Sequence, residues 1–148
     1  MIKNYLIDTN VLVYAYNSSF YKHILSKSIV EEAMNGDIKA FIADKNIYEF
    51  YAIVTDPKRV EKPVTPKKAI SAIRTLLDSE LNVLNTSKRT IGILLDLCKK
   101  YKVKRQKVFD FIFVAAMLEY ELDGIITFNL KDFSYIEEIE AIDPGKLL

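Results

Sequence analysis

The chain has little of the chemistry that supports nucleophilic or zinc-dependent catalysis. It holds one cysteine, Cys98, and one histidine, His23, among its 148 residues. A single cysteine excludes an internal disulfide and is typical of a reducing compartment. The only histidine lies among lysines and polar residues of a predicted helix, so a Ser–His–Asp mechanism has no support. A hard metal held by oxygen ligands is favoured over zinc.

Long apolar runs and an excess of one charge are also missing. No hydrophobic stretch reaches transmembrane length, and residues 1–4 lead directly into a predicted strand rather than a signal peptide. The net charge is +1, which neither favours nor excludes nucleic acid as a partner. Hydrophobic residues make up 50% and charged residues 28% of the chain, an ordinary globular composition. We therefore expect one domain over residues 1–148, in the cytoplasm and without membrane association.

The alternation of strands and helices predicts the fold class. Strands are predicted at 3–8, 38–43, 81–84 and 125–127, with a weak fifth strand around 141–142. Helices are predicted at about 9–16, 20–34, 44–56, 65–77, 87–98 and 108–122. This order predicts an α/β fold with a mainly parallel sheet of four to five strands covered on both faces. The 108–122 helix is apolar nearly all round, so we expect it in the middle of the core.

Some boundaries and buried faces of these helices can be predicted in more detail. Asn35-Gly36 is expected to end the second helix and Asp44 to cap the third. Thr65-Pro66 should begin the fourth helix, Thr86 or Ser87 should cap the fifth, and Asp123-Gly124 should stop the 108–122 helix. Apolar faces are predicted in three helices, at Ile24, Leu25, Ile29 and Val30, at Ala69, Ile70, Ile73, Leu76 and Leu77, and at Ile91, Leu94, Leu95 and Cys98. Glu119 and Glu121 are interpreted as part of a solvated helix face.

Three acidic residues lie alone in apolar surroundings. Asp8 ends the first strand, Glu49 lies in the third helix, and Asp110 opens the 108–122 helix. A simpler explanation exists for each alone: a helix cap, a partly exposed helix residue and a favourable interaction with a helix dipole. Burial of an unpaired charge is costly, so together they indicate a cation, a metal or a hydrogen-bond cluster. A crevice at the carboxyl ends of parallel strands is where α/β proteins build sites.

Four short segments, in this order along the chain, carry a family resemblance. They are Ile7-Asp8-Thr9-Asn10, Ile47-Tyr48-Glu49-Phe50, Phe109-Asp110-Phe111-Ile112-Phe113-Val114-Ala115-Ala116 and Ile126-Thr127-Phe128-Asn129-Leu130-Lys131-Asp132-Phe133. The sequence resembles PIN-domain ribonucleases, and most closely the VapC-type toxins of toxin–antitoxin pairs. The resemblance covers essentially the whole chain. It implies a three-layer α/β/α sandwich and a metal-dependent endoribonuclease.

The resemblance also implies roles for individual residues. Asp8, Glu49 and Asp110 match the acidic ligands of Mg²⁺ or Mn²⁺, and Asp132 is expected to help them in catalysis. Residues expected to orient these acids or a water are Thr9, Asn10, Thr127 and Asn129. Asn129 departs from an acidic residue at the variable fourth position, which leaves the second metal open. The implied reaction is in-line attack of a metal-activated water on an RNA phosphodiester, which leaves a 5′-phosphate and a 3′-hydroxyl.

Basic and aromatic residues indicate partners. The basic stretch from Lys99 to Lys107 ends beside Asp110, and its residues Lys104, Arg105 and Lys107 are predicted to bind the RNA backbone. A second basic cluster comprises Lys58, Arg59 and Lys62. The aromatic residues Phe20, Tyr21, Tyr48 and Tyr51 lie in the early helices, where VapC-type proteins form homodimers and receive an antitoxin; core packing is the alternative for each.

Two other functions compete with the ribonuclease. One is a PIN fold that binds RNA or protein without cutting, against which the intact Asp8, Glu49 and Asp110 argue. The other is a phosphatase of the haloacid dehalogenase type with Asp8 as covalent nucleophile. That chemistry needs a carboxylate two residues later, where this chain has Asn10. The sequence therefore favours the endoribonuclease.

Overall fold

A computed structural model describes residues 3–147 and shows five strands and seven α-helices in that range. The strands are β1 (Tyr5–Ile7), β2 (Ala40–Ala43), β3 (Asn82–Leu84), β4 (Gly124–Ile126) and β5 (Glu140–Ile142). The helices are α1 (Thr9–Ala15), α2 (His23–Asn35), α3 (Asp44–Val54), α4 (Pro66–Leu77), α5 (Lys88–Tyr101), α6 (Lys107–Glu119) and α7 (Leu130–Phe133). A 3₁₀ turn, Pro144–Lys146, follows β5.

The five strands form one sheet in the order β3-β2-β1-β4-β5, and every neighbouring pair is parallel. In β1, Leu6 is in register with Phe41 of β2 on one side and with Ile125 of β4 on the other. The predicted parallel sheet is therefore confirmed. Because β1 is central and the chain continues to opposite sides of it, the carboxyl ends of β1 and β4 border a topological switch point.

Helices cover both faces of the sheet, as a three-layer sandwich requires. Alternate residues of β1 point to opposite faces: Ile7 packs in the core formed with α1–α4, and Leu6 packs in the core formed with α5 and α6. Helix α6 contributes six buried residues between Phe111 and Met117, which confirms its predicted central position. None of the helices within residues 3–147 is long and apolar enough to cross a membrane.

Several helix ends follow the predicted chemistry. The Thr65 hydroxyl accepts a hydrogen bond from the Lys68 amide, and Pro66 is the first residue of α4. Gly36 ends α2 with a φ of 84°, a left-handed conformation that glycine adopts without steric cost. Ser87, rather than Thr86, caps α5. These local signals were sufficient because each uses residues that are adjacent in sequence.

Other details of the helices differ from the prediction. Asp44 lies inside the first turn of α3, and its carboxylate accepts hydrogen bonds from the amide and hydroxyl of Thr86 instead of capping the helix. Glu119 is not simply solvated, because it accepts hydrogen bonds from Ser87 and Thr90. Helix α6 ends at Glu119, well before Gly124, which is instead the first residue of β4.

The predicted apolar faces were too broad. The residues predicted to be buried but found exposed are Ile24, Ile70, Leu77, Ile91 and Leu95. Of these, Ile24 is 80% and Leu95 63% exposed. Each helix buries only the narrow stripe that meets the sheet or a neighbouring helix, and periodicity alone does not give the width of that stripe.

Candidate active site

Asp8 lies at the carboxyl end of β1 and caps α1. Its Oδ1 accepts a hydrogen bond from the Thr9 amide and its Oδ2 accepts one from the Thr127 hydroxyl, both at 2.7 Å. The side chain is buried, and this burial raises its pKa to about 6 although the two hydrogen bonds oppose the shift. The nearby charges of Glu49 and Asp110 raise the pKa further. Asp8 is thus a desolvated carboxylate that a cation would stabilise.

Thr9 joins the first acid to the second. Its hydroxyl donates a hydrogen bond to Oε1 of Glu49 at 2.7 Å and accepts one from the side-chain Nδ2 of Asn46 at 2.9 Å. Asn46 is fully buried, and its Oδ1 accepts a hydrogen bond from the Ala43 amide. This chain of hydrogen bonds fixes the start of α3 against the start of α1, so the carboxylate of Glu49 has a defined position beside Asp8.

Lys45 neutralises Glu49 from one turn earlier in α3. Its Nζ lies 2.6 Å from Oε2 of Glu49. The Lys45 side chain is only 15% exposed, and its Nζ lies 4.4 Å from the ring centroid of Phe113 in α6. The ammonium is therefore held between the carboxylate and an aromatic face, in contrast to a mobile surface lysine.

Lys107 forms ion pairs with the other two acids, Asp110 and Asp132. Its Nζ lies 3.0 Å from Oδ2 of Asp110 and 3.4 Å from Oδ1 of Asp132. It also donates a hydrogen bond to the carbonyl oxygen of Asp132 at 3.2 Å. Partial burial lowers the pKa of Lys107, but the hydrogen bond with Asp110 and the charges of both acids outweigh it and the net pKa is raised. Lys107 therefore stays protonated at neutral pH.

One pocket of about 490 Å³ receives the side chains of all four acids. Its acidic lining consists of Asp8, Glu49, Asp110 and Asp132. Four different elements supply them: the end of β1, α3, α6 and α7. The topology thus brings together the acids that the sequence predicted for one site.

The rest of the pocket lining includes aromatic, aliphatic, basic and uncharged polar side chains. Tyr14 and Phe20 line the pocket with their ring centroids 4.5 Å apart, and Ile53 and Arg59 line it as well. The ring of Phe128 stacks near Tyr14 at 5.4 Å. A pocket with acids, flat apolar groups and a guanidinium can hold a metal and an organic phosphate together.

Oxygen donors of this kind fit a hard divalent cation, although the acids are not assembled as a closed cluster. Among the described residues, no three His, Cys, Asp or Glu side chains converge closely enough to hold a metal as they stand. Asn10 adds a further donor: both polar atoms of its carboxamide are buried, and neither has a hydrogen-bond partner within residues 3–147. A buried amide without a partner requires a water or an ion.

The pattern of the PIN domain matches residues 5–139, which includes every acid of the pocket. The chain belongs to the PIN-domain family. This confirms the resemblance seen in the four sequence segments. The parallel order of the sheet and the position of Asp8 at the carboxyl end of β1 are consistent with that membership.

Relatives of this PIN domain include named ribonucleases. Ribonuclease VapC33 of Mycobacterium tuberculosis is 24% identical over 138 residues, which cover 93% of this chain and 95% of the relative. Among solved structures, a toxin–antitoxin complex from Klebsiella pneumoniae has a TM-score of 0.64 at 22% identity and covers 95% of this chain and 97% of that one. VapC20 of Mycobacterium tuberculosis, described as a toxin that cleaves the sarcin–ricin loop, has a TM-score of 0.66 at 14% identity and covers 91% and 96%.

The remaining predicted site residues take distinct positions in this PIN domain. Thr127 is buried, and its hydroxyl also accepts a hydrogen bond from the Asn129 amide at 2.9 Å. The Asn129 side chain lines the pocket at the start of α7. Lys104 and Arg105 are exposed in the turn before α6, whereas Lys107 lies inside the site and pairs with two acids.

Sequence reasoning missed Asn46, Lys45 and the aromatic lining of the pocket. A signal for the first two was present, because Lys45 lies four residues and Asn46 three residues before Glu49, spacings that share one helix face. Nothing local indicated that Tyr14 and Phe20 would meet the acids. His23 takes no part: its Nδ1 contacts the carbonyl oxygen of Tyr14 at 2.8 Å.

Proposed function

We propose that this protein is a Mg²⁺- or Mn²⁺-dependent endoribonuclease and the toxin of a toxin–antitoxin pair. The observation that supports this function is the convergence of Asp8, Glu49, Asp110 and Asp132 on one pocket of a PIN domain. Relatives of nearly equal length are named ribonucleases. Aligned structures come from toxin–antitoxin complexes.

The acids divide into ligands and a helper. Asp8, Glu49 and Asp110 would hold the ion, and Asp132 would act beside them. A bound divalent ion supplies a water of lowered pKa and neutralises charge on a phosphate oxygen. The hydroxyls of Thr9 and Thr127 hold Glu49 and Asp8 in fixed orientations by hydrogen bonds of 2.7 Å.

Asn10 is positioned to orient a water molecule in the pocket. Its carboxamide has both a donor and an acceptor buried without a protein partner among the described residues. A water between this amide and the carboxylate of Asp8 would satisfy both groups, since an amide offers the donor that a carboxylate lacks. Hydrolysis then proceeds by direct attack of water, with no covalent intermediate on the enzyme.

The RNA would enter between the acids and the aromatic side of the pocket. Tyr14 and Phe20 offer flat surfaces for an unstacked base, and Arg59 offers a guanidinium for a phosphate. Lys104 and Arg105 extend the positive charge outward from α6. Such a site suits single-stranded or looped RNA, whose bases can leave the stack.

The exposed aromatic residues support protein partners for the early helices. Tyr21 is 88% and Tyr48 69% exposed, whereas Phe20 and Tyr51 are half-buried. Tyr21 lies just before α2 and Tyr48 within α3. We propose that Tyr21 and Tyr48 contribute to a homodimer or to antitoxin binding, in the cytoplasm where RNA is the substrate.

Cleavage of end-labelled structured RNA by the purified protein tests the enzyme directly. The wild-type protein should cut with Mn²⁺ or Mg²⁺ and not with EDTA, and Asp110→Asn should not cut. Asp96→Asn is the matched control, because it makes the same change on the exposed face of α5, outside the pocket. This control should cut like the wild type.

The possible results separate the ribonuclease from its alternatives. Equal cutting by wild type and Asp110→Asn would mean that a contaminant or a different site is responsible. No cutting by a wild-type protein that binds no Mn²⁺ in a calorimetric titration would favour a PIN fold that only binds RNA or protein.

A further inference from the structure

The ammonium group of Lys107 bridges two acids of the pocket. It lies 3.0 Å from Oδ2 of Asp110 and 3.4 Å from Oδ1 of Asp132, and it donates to the Asp132 carbonyl oxygen at 3.2 Å. An ammonium has three donors, and three acceptors surround this one. Lys107 therefore occupies the space between the two carboxylates, where a cation bridging them would lie.

The Lys107 side chain is held in this position by its surroundings. It is 30% exposed, and its Nζ lies 5.5 Å from the ring centroid of Tyr135. Lys107 is the first residue of α6, and its side chain contacts Asp110 one turn later in the same helix and Asp132 in α7. Its partial burial and its contacts to two elements distinguish it from exposed lysines, whose ion pairs contribute little.

The charges of the pocket balance for a single divalent ion. Four carboxylates line the pocket, and two of its neighbouring lysines, Lys45 and Lys107, are in ion pairs with three of them. The six groups leave a net charge of −2 when all are ionised. Arg59 lines the pocket too, but it forms no ion pair with a carboxylate of residues 3–147 and is open to a substrate phosphate.

Lys45 and Lys107 leave Asp8 as the acid without a basic partner. Within the described part of the chain, the Asp8 carboxylate accepts hydrogen bonds only from Thr9 and Thr127. It is also the most buried of the four acids. The compensation that a metal gives is therefore needed most at Asp8, whereas Lys107 already supplies a positive charge between Asp110 and Asp132.

We propose that the Lys107 ammonium replaces a second metal ion, so that this protein binds one divalent ion per chain, held by Asp8 with Glu49 and Asp110. This rests on the proposed function, since it concerns the same metal site. In sites with two metals, the ions stabilise the attacking and leaving oxygens of the displacement. A fixed ammonium between Asp110 and Asp132 can place the second of these positive charges near a phosphate oxygen.

Counting bound Mn²⁺ tests this directly. Protein freed of metal is titrated with Mn²⁺, and the free ion is measured by its electron paramagnetic resonance signal. The wild type should bind one Mn²⁺ per chain. Lys107→Gln and Lys107→Met should each bind two, because the carboxylates of Asp110 and Asp132 are then without a cation.

Two variants control for charge and for folding. Lys107→Arg keeps the cation and should bind one Mn²⁺. Lys131→Gln removes an exposed lysine next to Asp132 that forms no ion pair within residues 3–147, and it should also bind one. Circular dichroism identifies any variant that fails to fold, and the pair of neutral variants at position 107 gives two independent chances of a folded one.

The outcomes separate this inference from the proposed function. Two Mn²⁺ per wild-type chain would overturn the replacement of a metal by Lys107 and leave the nuclease standing. One Mn²⁺ in both the wild type and the folded neutral variants would overturn it as well. No Mn²⁺ bound by the folded wild type would overturn both the inference and the metal-dependent nuclease.

Discussion

Replacing Asp8 by asparagine should change how stability depends on pH. Burial raises the pKa of the Asp8 carboxyl from 3.8 to about 6, so the folded chain holds this proton more tightly than the unfolded chain does. A raised carboxyl pKa makes the free energy of unfolding fall as the pH rises through this range. The shift corresponds to about 3 kcal/mol lost by pH 7, because one pKa unit is worth about 1.4 kcal/mol.

Asparagine cannot ionise, so Asp8→Asn should not lose this stability. The free energy of unfolding of the variant, minus that of the wild type, should therefore grow by about 2.4 kcal/mol between pH 4 and pH 7. The part of this difference in free energy that does not depend on pH has another cause, because the asparagine amide replaces one of the two acceptors of the carboxylate. Urea unfolding at several pH values in EDTA measures the difference.

Asp96→Asn is the control for this measurement. Its carboxylate is exposed on α5 in the folded chain, so this variant makes the same chemical change without removing a desolvated group. If the free energies of unfolding of Asp8→Asn and the wild type depend on pH in the same way, the desolvation of Asp8 is refuted. In a separate measurement, Mn²⁺ at a hundred times its dissociation constant should raise the free energy of unfolding of the wild type by about 3 kcal/mol. The same Mn²⁺ concentration should stabilise Asp8→Asn far less.

Two further predictions concern the sheet and the basic turn. Gly124→Ala should lower the free energy of unfolding by about 1–3 kcal/mol, because the new Cβ would clash with the carbonyl oxygen of Glu140 in β5. Gly92→Ala, whose new Cβ would have nothing within 4 Å, should instead raise the free energy of unfolding by about 0.5–1 kcal/mol. Equal urea midpoints for Gly124→Ala and the wild type would contradict the clash. Lys104→Glu with Arg105→Glu should weaken RNA binding and flatten its salt dependence in filter-binding assays, and an unchanged salt slope would remove this turn from the RNA path.

The fold could be predicted because its signals are local and repeated. The strand–helix alternation indicated the parallel sheet, and residues such as Thr65-Pro66 and Gly36 marked helix ends through their own backbone preferences. The widths of the buried faces could not be predicted in this way. Ile24 and Leu95 continue the apolar period of their helices but face solvent, since their burial depends on which neighbour packs there.

The acidic residues of the candidate site could be predicted from the sequence, but the lysine that pairs with them could not. Asp8, Glu49 and Asp110 stand out because each is charged within an apolar segment. Lys107 stood in a basic run that indicated only a surface for RNA, and its contact with Asp132 joins residues 25 apart in sequence. Such a pairing depends on how α6 and α7 meet, and that information is tertiary.

The central position of β1 has a consequence for the order in which the site is completed during synthesis. The Asp8 amide donates to the carbonyl oxygen of Ile126, and its carboxylate accepts from Thr127, a residue 119 positions later. Since a chain leaves the ribosome from its N-terminus, Asp8 and Glu49 emerge long before Asp110 and β4. No nascent chain shorter than about 127 residues can hold Asp8 as the finished protein does. The candidate site of a protein built this way is completed only near the end of its own translation.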